Sequence, residues 1–244
     1  MKEKNLEKDI SIKNKITLHQ ILWYFIIFSI AGLLIETVYC YVTTGVLESR
    51  KGLIWGPFCP VYGIGATFLI VLLNNFKDNK MKLIIYGGLA GDIAEYIMSY
   101  VLEAVYSTRF WDYSYTAVHL NGRICLIYTV FWSILSLVLI CIVKPLVDKL
   151  LLKLETVFNF SKFKIVDGIV IVALFIDIFC TVWGINVYKQ RAMNSYYNTE
   201  QAKHNIIVEN VQNTLFSNEK MLKTFPNLRF RNNNNEEIWI RDLI

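Results

Sequence analysis

The stretch Ile124–Val143, ICLIYTVFWSILSLVLICIV, holds twenty residues and not one charge. At 1.5 Å per residue, a helix of that length covers roughly 30 Å, the thickness of a bilayer's hydrocarbon core. A soluble helix would show a polar face every third or fourth residue, whereas this one offers only Thr129, Ser133 and Ser136. It reads as a transmembrane helix, and it sets the class of the whole chain.

Working outward, four further apolar segments join it. The expected spans are about 19–42, 58–73, 83–105, 122–143 and 166–187. They lie between a polar N-terminus, 1–18, and a polar C-terminal tail, 189–244. Hydrophobic residues make up 55% of the 244 and charged ones 18%, with more apolar and less charged character than soluble chains carry. The expected fold is an all-α membrane protein. It is a bundle of about five transmembrane helices with a broken or re-entrant segment after the first and a small helical tail. In lipid only helices or closed barrels satisfy every backbone group, and these lengths are helical. No small-x-small cleavage site follows the first span, so it is expected to stay as an anchor.

The net charge of +5 gives no reason to expect nucleic acid, because the basic residues gather at the edges of apolar spans. Lys2, Lys4, Lys8, Lys13 and Lys15 precede span one. Lys77, Lys80 and Lys82 follow span two, and Lys144, Lys149, Lys153, Lys162 and Lys164 follow span four. The short flanks on the opposite side carry Arg50, Lys51, Arg109, Arg123, Lys189 and Arg191. The positive-inside rule then places the N-terminus in the cytoplasm and the tail outside. The segment Lys144–Lys164 alternates lysines with Leu, Val and Phe, and Pro145 suits the first turn of a new helix. It reads as a helix lying on the cytoplasmic leaflet.

Span three, GGLAGDIAEYIMSYVLEAV, is where the chain departs from plain lipid-soluble helix. Gly88, Asp92, Glu95, Ser99 and Glu103 recur at steps of four, three, four and four, which puts them on one stripe. An ionisable group inside a span costs about 2.5–3.5 kcal/mol on insertion scales, so this stripe should face protein or water. Glu36 in span one and Asp177 in span five add two more acids. Gly87 and Gly91 form a GxxxG pair that permits close helix approach. Two readings of the stripe stand side by side: a structural carboxylate–Arg or carboxylate–hydroxyl network, and a polar cavity for a solute or ion.

Arg123 stands beside Asn121 and Gly122 at the start of span four. With five interior acids and no interior lysine, it is expected to turn inward and pair with Glu95 or Glu103. An uncompensated buried charge costs about 3–5 kcal/mol. Glu36, Asp92, Glu95, Ser99, Glu103, Asn121, Arg123 and Asp177 are therefore the candidate substrate-binding residues. The loop GVLESRKGLIWGPFCPVYGIGA is broken by Gly52, Gly56, Pro57, Pro60, Gly63 and Gly65, yet it stays apolar. It is either re-entrant backbone lining a cavity or a tightly packed turn. Trp111–Ser114 and Asn121–Arg123 form a polar set dense enough to cap an acid-lined space.

Several chemistries lack their motifs. GxxxxGK[ST], HExxH and GxSxG are all missing, and His19, His119 and His204 are scattered. Neither a catalytic residue nor a metal or other cofactor is expected. Glu95 and Glu103 as an acid–base pair would stand about 12 Å apart along the helix, too far to share a water. The cysteines Cys40, Cys59, Cys125, Cys141 and Cys180 show no CxxC spacing and read as apolar packing residues.

The combination RKGLIWGPFCPVYGIGA, Glu95-x3-Ser99-x3-Glu103, WDYS and NGRICL resembles the ABC-transporter permease family of CmpB type, over roughly Ile21–Leu139. The resemblance implies a multi-span membrane protein of bacterial type and a transport role, with no catalytic assignment. Its positions here are Gly52, Gly56, Pro57, Pro60, Gly63, Gly65, Glu95, Ser99, Glu103, Trp111, Asp112, Tyr113, Ser114, Asn121, Gly122 and Arg123. Three partners are considered: the lipid bilayer, a separate ATPase subunit, since no P-loop is present, and a second copy of the chain. The leading expectation is a transport permease or transporter subunit, and the alternative is a non-transport membrane scaffold whose acids are structural.

Overall fold

The computed structural model describes residues 16–106, 109–157, 160–199, 206–232, 234 and 236–244. The lysines up to Lys15, and Asn233 and Asn235 of the tail, lie outside the described residues. The chain is mostly helical. Helix α1 spans Leu18–Thr44, α2 Pro60–Leu73, α3 Lys80–Tyr106, α4 Leu126–Val138, α5 Lys144–Val157 and α6 Phe160–Tyr197. In the tail come α7 Ile206–Leu215 and α8 Asn218–Thr224. Two short antiparallel hairpins complete the set: β1 His119–Leu120 with β2 Ile124–Cys125, and β3 Arg229–Arg231 with β4 Glu237–Trp239.

Three helical runs are long and apolar enough to cross a membrane: Leu18–Thr44, Leu126–Thr156 and Lys164–Tyr197. The Pro60–Phe76 helix is apolar but shorter. Helix α3 has the length, at 27 residues, but carries Asp92, Glu95 and Glu103.

The helix expected to lie on the leaflet is not separate. A π turn, Leu139–Val143, joins α4 to α5 in one helical run. Pro145 has no N–H to give to a carbonyl four residues back, and it falls immediately after that irregular turn, where the regular ladder is already interrupted.

The chain divides into two compact units. Unit one comprises 1–28, 61–100 and 111–169. Its core gathers Tyr24, Leu69, Leu73, Leu83, Leu139 and Leu151 from α1 to α5. Polar clasps pin the start of α1: the Tyr24 hydroxyl donates to Asp148, and Lys144 Nζ lies 2.6 Å from the same carboxylate. His19 sits between Asp167, at 2.6 Å, and Glu155, at 3.3 Å, while Trp23 Nε1 donates to Asp167 at 2.9 Å.

Unit two comprises 29–60, 101–110 and 170–244. Here the tail is more than a helical extension. Phe216, Met221, Phe225, Phe230 and Ile240 are buried with Tyr188 and Ala192 of α6 and with Ile54 of the first loop. Sparse apolar anchors in a polar segment build this core, and a segment average does not reveal them. The same fold ties the tail to the loop through Glu48, which accepts from Asn227 Nδ2 at 3.0 Å and lies 3.7 Å from Arg241.

Candidate functional site

The site is built in unit one where α3 packs against α4. Small residues decide the approach. A Cβ on Gly91 would collide with Trp132, and one on Gly87 with Ser136. One on Gly88 would press on Ser133 and Thr129. The GxxxG pair is thus a contact surface, with the two helices antiparallel. The polar stripe of α3 faces the same neighbour, while Leu89, Ile93, Ile97 and Val101 on its other side are exposed.

Along that seam both carboxylates meet donors. Both oxygens of Asp92 accept from Thr129 Oγ1, at 3.0 and 2.8 Å. Glu95, which is buried, accepts from the Tyr113 hydroxyl at 2.6 Å and from Trp132 Nε1 at 2.8 Å. Among the described residues no cation pairs with Asp92 or Glu95. Tyr113 comes from the loop before the hairpin, and its ring stacks on Tyr128 at 4.6 Å. Burial, with Glu95 accepting its hydrogen, pushes the Tyr113 phenol above its ordinary range and keeps it a donor.

Arg123 turns inward as expected and is 9% exposed. Its Nη1 donates to Ser99 Oγ at 2.8 Å, and the guanidinium lies over the rings of Tyr96 and Tyr100, at 5.9 and 5.6 Å. Of the two acids named for it, Glu95 is held by a phenol and an indole, and Glu103 lies near Arg109 and Arg231. The phenol and the indole reach Glu95 from positions that a single helix stripe cannot display.

The turn that aims Arg123 is legible in the chain. Asn121 and Gly122 both have positive φ, 53° and 66°, and Arg123 N donates to Leu120 O at 3.0 Å. Two positive-φ residues at the centre of a tight turn are what an Asn-Gly pair favours, here within a three-residue connection that pairs Leu120 with Ile124. Asn121 Nδ2 also donates to Tyr96 at 3.0 Å, and Trp111 Nε1 donates to Arg123 O at 3.1 Å. The WDYS and NGR segments therefore knit together and send Tyr113 to Glu95. Asp112 accepts from Ser114 N and Oγ, leaving no room for a side chain at Gly122.

The remaining candidates fall in unit two. Glu103 lies 3.7 Å from Arg109 and 3.8 Å from Arg231 of the tail. Asp177 accepts from Trp55 N and from Thr181 Oγ1, each at 3.2 Å, while Thr181 Oγ1 takes Ile54 N at 3.0 Å. Asp177 thus satisfies non-helical backbone of the first loop, where Leu53 and Ile54 are buried. Those contacts make that loop a packed turn. Glu36 accepts from Cys40 Sγ one turn along its own helix, at 3.6 Å. Asp92, Glu95, Ser99, Asn121 and Arg123 form one polar constellation in unit one, and Glu36, Glu103 and Asp177 have the contacts above in unit two.

The sequence reading missed Tyr96, Tyr100, Thr129 and Trp132 as members, and had Tyr113 only within the loop set that could cap an acid-lined space. Thr129 lies against Gly88 and Trp132 against Gly91, so the glycine face of α3 was the available signal.

Residues 23–182 match the family described as "Putative ABC-transporter type IV". That is well over half of the chain, and the chain belongs to this family. The match extends beyond the span-four limit of the sequence resemblance and takes in most of α6. No curated protein and no solved structure matches the chain. Family membership and the three long apolar helices make this a membrane protein of a transport-related family.

Proposed function

We propose that this family member is a transport permease or transporter subunit in which the α3–α4 seam forms the closed state of a path for a cationic solute or ion. One observation carries the reading: Asp92 and Glu95 sit one turn apart in a helix contact and are held by hydroxyl and indole donors, with no cation among the described residues. Purely structural positions would be served as well by uncharged residues, since buried charge is expensive even when paired. Acids retained there can take a cation when the donors move. On this reading the chain does no bond-making chemistry itself, and ATP hydrolysis belongs to a separate subunit.

The five-span arrangement is part of the proposal, and two sets of contacts support it. Glu48, Glu103 and the tail residues Asn227, Arg231 and Arg241 meet one another in unit two. These follow spans one, three and five. In unit one, His19 before span one meets Glu155 and Asp167 between spans four and five. The α2–α3 turn shares a buried cluster with Tyr24 and Leu151, through Leu73 and Leu83. Helix α3, at 27 residues, is long enough to cross. The positive-inside rule then places the N-terminus in the cytoplasm and the tail outside, with the transmembrane domain at 19–188 and the polar ends at 1–18 and 189–244.

A scaffold is the second reading, favoured by the satisfaction of Glu103 and Asp177 by local partners. Purification of the full chain from its own membranes distinguishes the two. A permease brings down an ATP-hydrolysing subunit in fixed ratio, and Asp92→Asn or Glu95→Gln lowers coupled ATP hydrolysis in proteoliposomes at least tenfold while the complex stays assembled. A chain that purifies without any nucleotide-hydrolysing subunit, or isosteres that leave hydrolysis unchanged, overturns the permease reading.

A further inference from the structure

Helix α5 turns its acids and one apolar edge inward. Val147 and Leu151 are buried in the core of unit one. Asp148 is taken by Tyr24 and Lys144, and Glu155 lies against His19. What remains outward is a face without acid. Leu146 and Leu150 are exposed, as are Lys149 and Lys153, and neither lysine has an ion pair among the described residues.

This face continues another one. Ile134, Val138, Ile142, Leu146 and Leu150, at steps of four, are all exposed, so the apolar surface of α4 passes through the π turn into α5 without a break. On α4 that surface belongs to a span and faces hydrocarbon. The register of the antiparallel pair adds a second basic segment. Gly91 meets Trp132 and Gly87 meets Ser136, so the first turn of α3 falls level with the start of α5. Lys80 and Lys82 stand in that turn, both exposed. Four lysines from segments some seventy residues apart thus gather where a lipid-facing stripe leaves the membrane.

We propose that Leu146, Leu150, Lys80, Lys82, Lys149 and Lys153 form a binding surface for anionic phospholipid. The leucines enter the acyl boundary, and the ammonium groups reach the headgroup phosphates on flexible stems. Continuity with the hydrocarbon-facing stripe selects lipid over a soluble acidic protein, and the acid-free face selects anionic over zwitterionic headgroups. The inference does not depend on what the protein transports.

Native mass spectrometry of the full chain, released from nanodiscs of mixed phosphatidylcholine and phosphatidylglycerol, tests it. Retained lipid should be enriched in phosphatidylglycerol. The enrichment should fall about fivefold per lysine removed in the series Lys149→Gln, Lys153→Gln, Lys80→Gln and Lys82→Gln. Lys223→Gln, in the tail, should leave it unchanged. Leu146→Asn with Leu150→Asn should also reduce retention, and added inorganic phosphate should not displace the lipid. Equal retention of both lipids by the wild-type chain overturns the proposal, as does enrichment indifferent to the four lysines. Displacement by inorganic phosphate would show a free-anion site and would also overturn it. Protection of Lys149 from acylation by an acidic soluble protein, with no lipid preference, would assign the face to a protein partner instead.

Discussion

Tyr113 donates its hydroxyl to Glu95 at 2.6 Å, joining the loop before the hairpin to the middle of α3. The same carboxylate takes the Trp132 indole on its other oxygen, so one side chain fastens a loop and two helices. Tyr113→Phe removes a donor and leaves a buried oxygen unsatisfied, a cost of about 1–3 kcal/mol. The detergent-solubilised variant should melt at lower temperature than wild type. The Glu95→Gln and Tyr113→Phe double variant should depart from additivity by at least about 0.5 kcal/mol. Additive effects would mean that the two groups do not depend on each other.

The helix contact depends on the absence of side chains. Gly91→Ala sets a methyl into Trp132 and should lower thermal stability by about 1–3 kcal/mol, the usual range for overpacking. Gly65→Ala in α2 meets nothing within 4 Å and should be neutral or stabilising, since a helix interior favours alanine by about 0.5–1 kcal/mol. If both substitutions behave alike under the same melting conditions, packing against Trp132 is not what requires glycine.

Much of this was written in the sequence, and the limit has a physical cause. The uncharged run of Ile124–Val143, the acid stripe and the GxxxG pair are properties of one helix at a time, so periodicity reveals them. The Asn-Gly turn was equally visible as a hairpin signal but was masked by its setting among interfacial aromatics. Which donor meets which acid is a property of two elements in register. Arithmetic on charge pointed Arg123 at Glu95 or Glu103, but the geometry gives Glu95 to Tyr113 and Trp132 and sets Arg123 against Ser99 and two aromatic faces. The tail was hidden for a related reason. Its core draws Phe216 and Phe230 against Tyr188, partners too distant in sequence for any local pattern.

Arg123 offers a test of shape against charge. Its guanidinium is buried, bonds Ser99 and lies over Tyr96 and Tyr100, whereas Arg109 lies 3.7 Å from Glu103 in a less buried pair. Arg123→Ala should therefore reduce folded yield in membranes several-fold more than Arg109→Ala, as measured by fluorescence size-exclusion of a tagged chain. Arg123→Lys keeps the charge but loses the planar stacking surface, so it should restore only part of the yield. Full rescue by lysine would show that charge alone is needed.

The contact of the tail with the first loop fixes a shared side of the membrane. Glu48 accepts from Asn227 and lies within ion-pair reach of Arg241, and Lys220 Nζ sits 5.8 Å from the Trp55 ring centroid. Two segments so joined cannot lie across a bilayer from one another. On the proposed five-span arrangement, the lysine bias of the other loops puts them outside. A cysteine placed at Lys223, exposed on α8, should react with a membrane-impermeant maleimide in intact cells. One placed at Lys80, exposed at the start of α3, should react only after lysis. The wild-type chain, whose own cysteines lie in or beside apolar helices, supplies the background. The reverse pattern would invert the protein while keeping its contacts. Reaction of both sites in intact cells would show that α2 and α3 do not cross, leaving only the three long helices as spans.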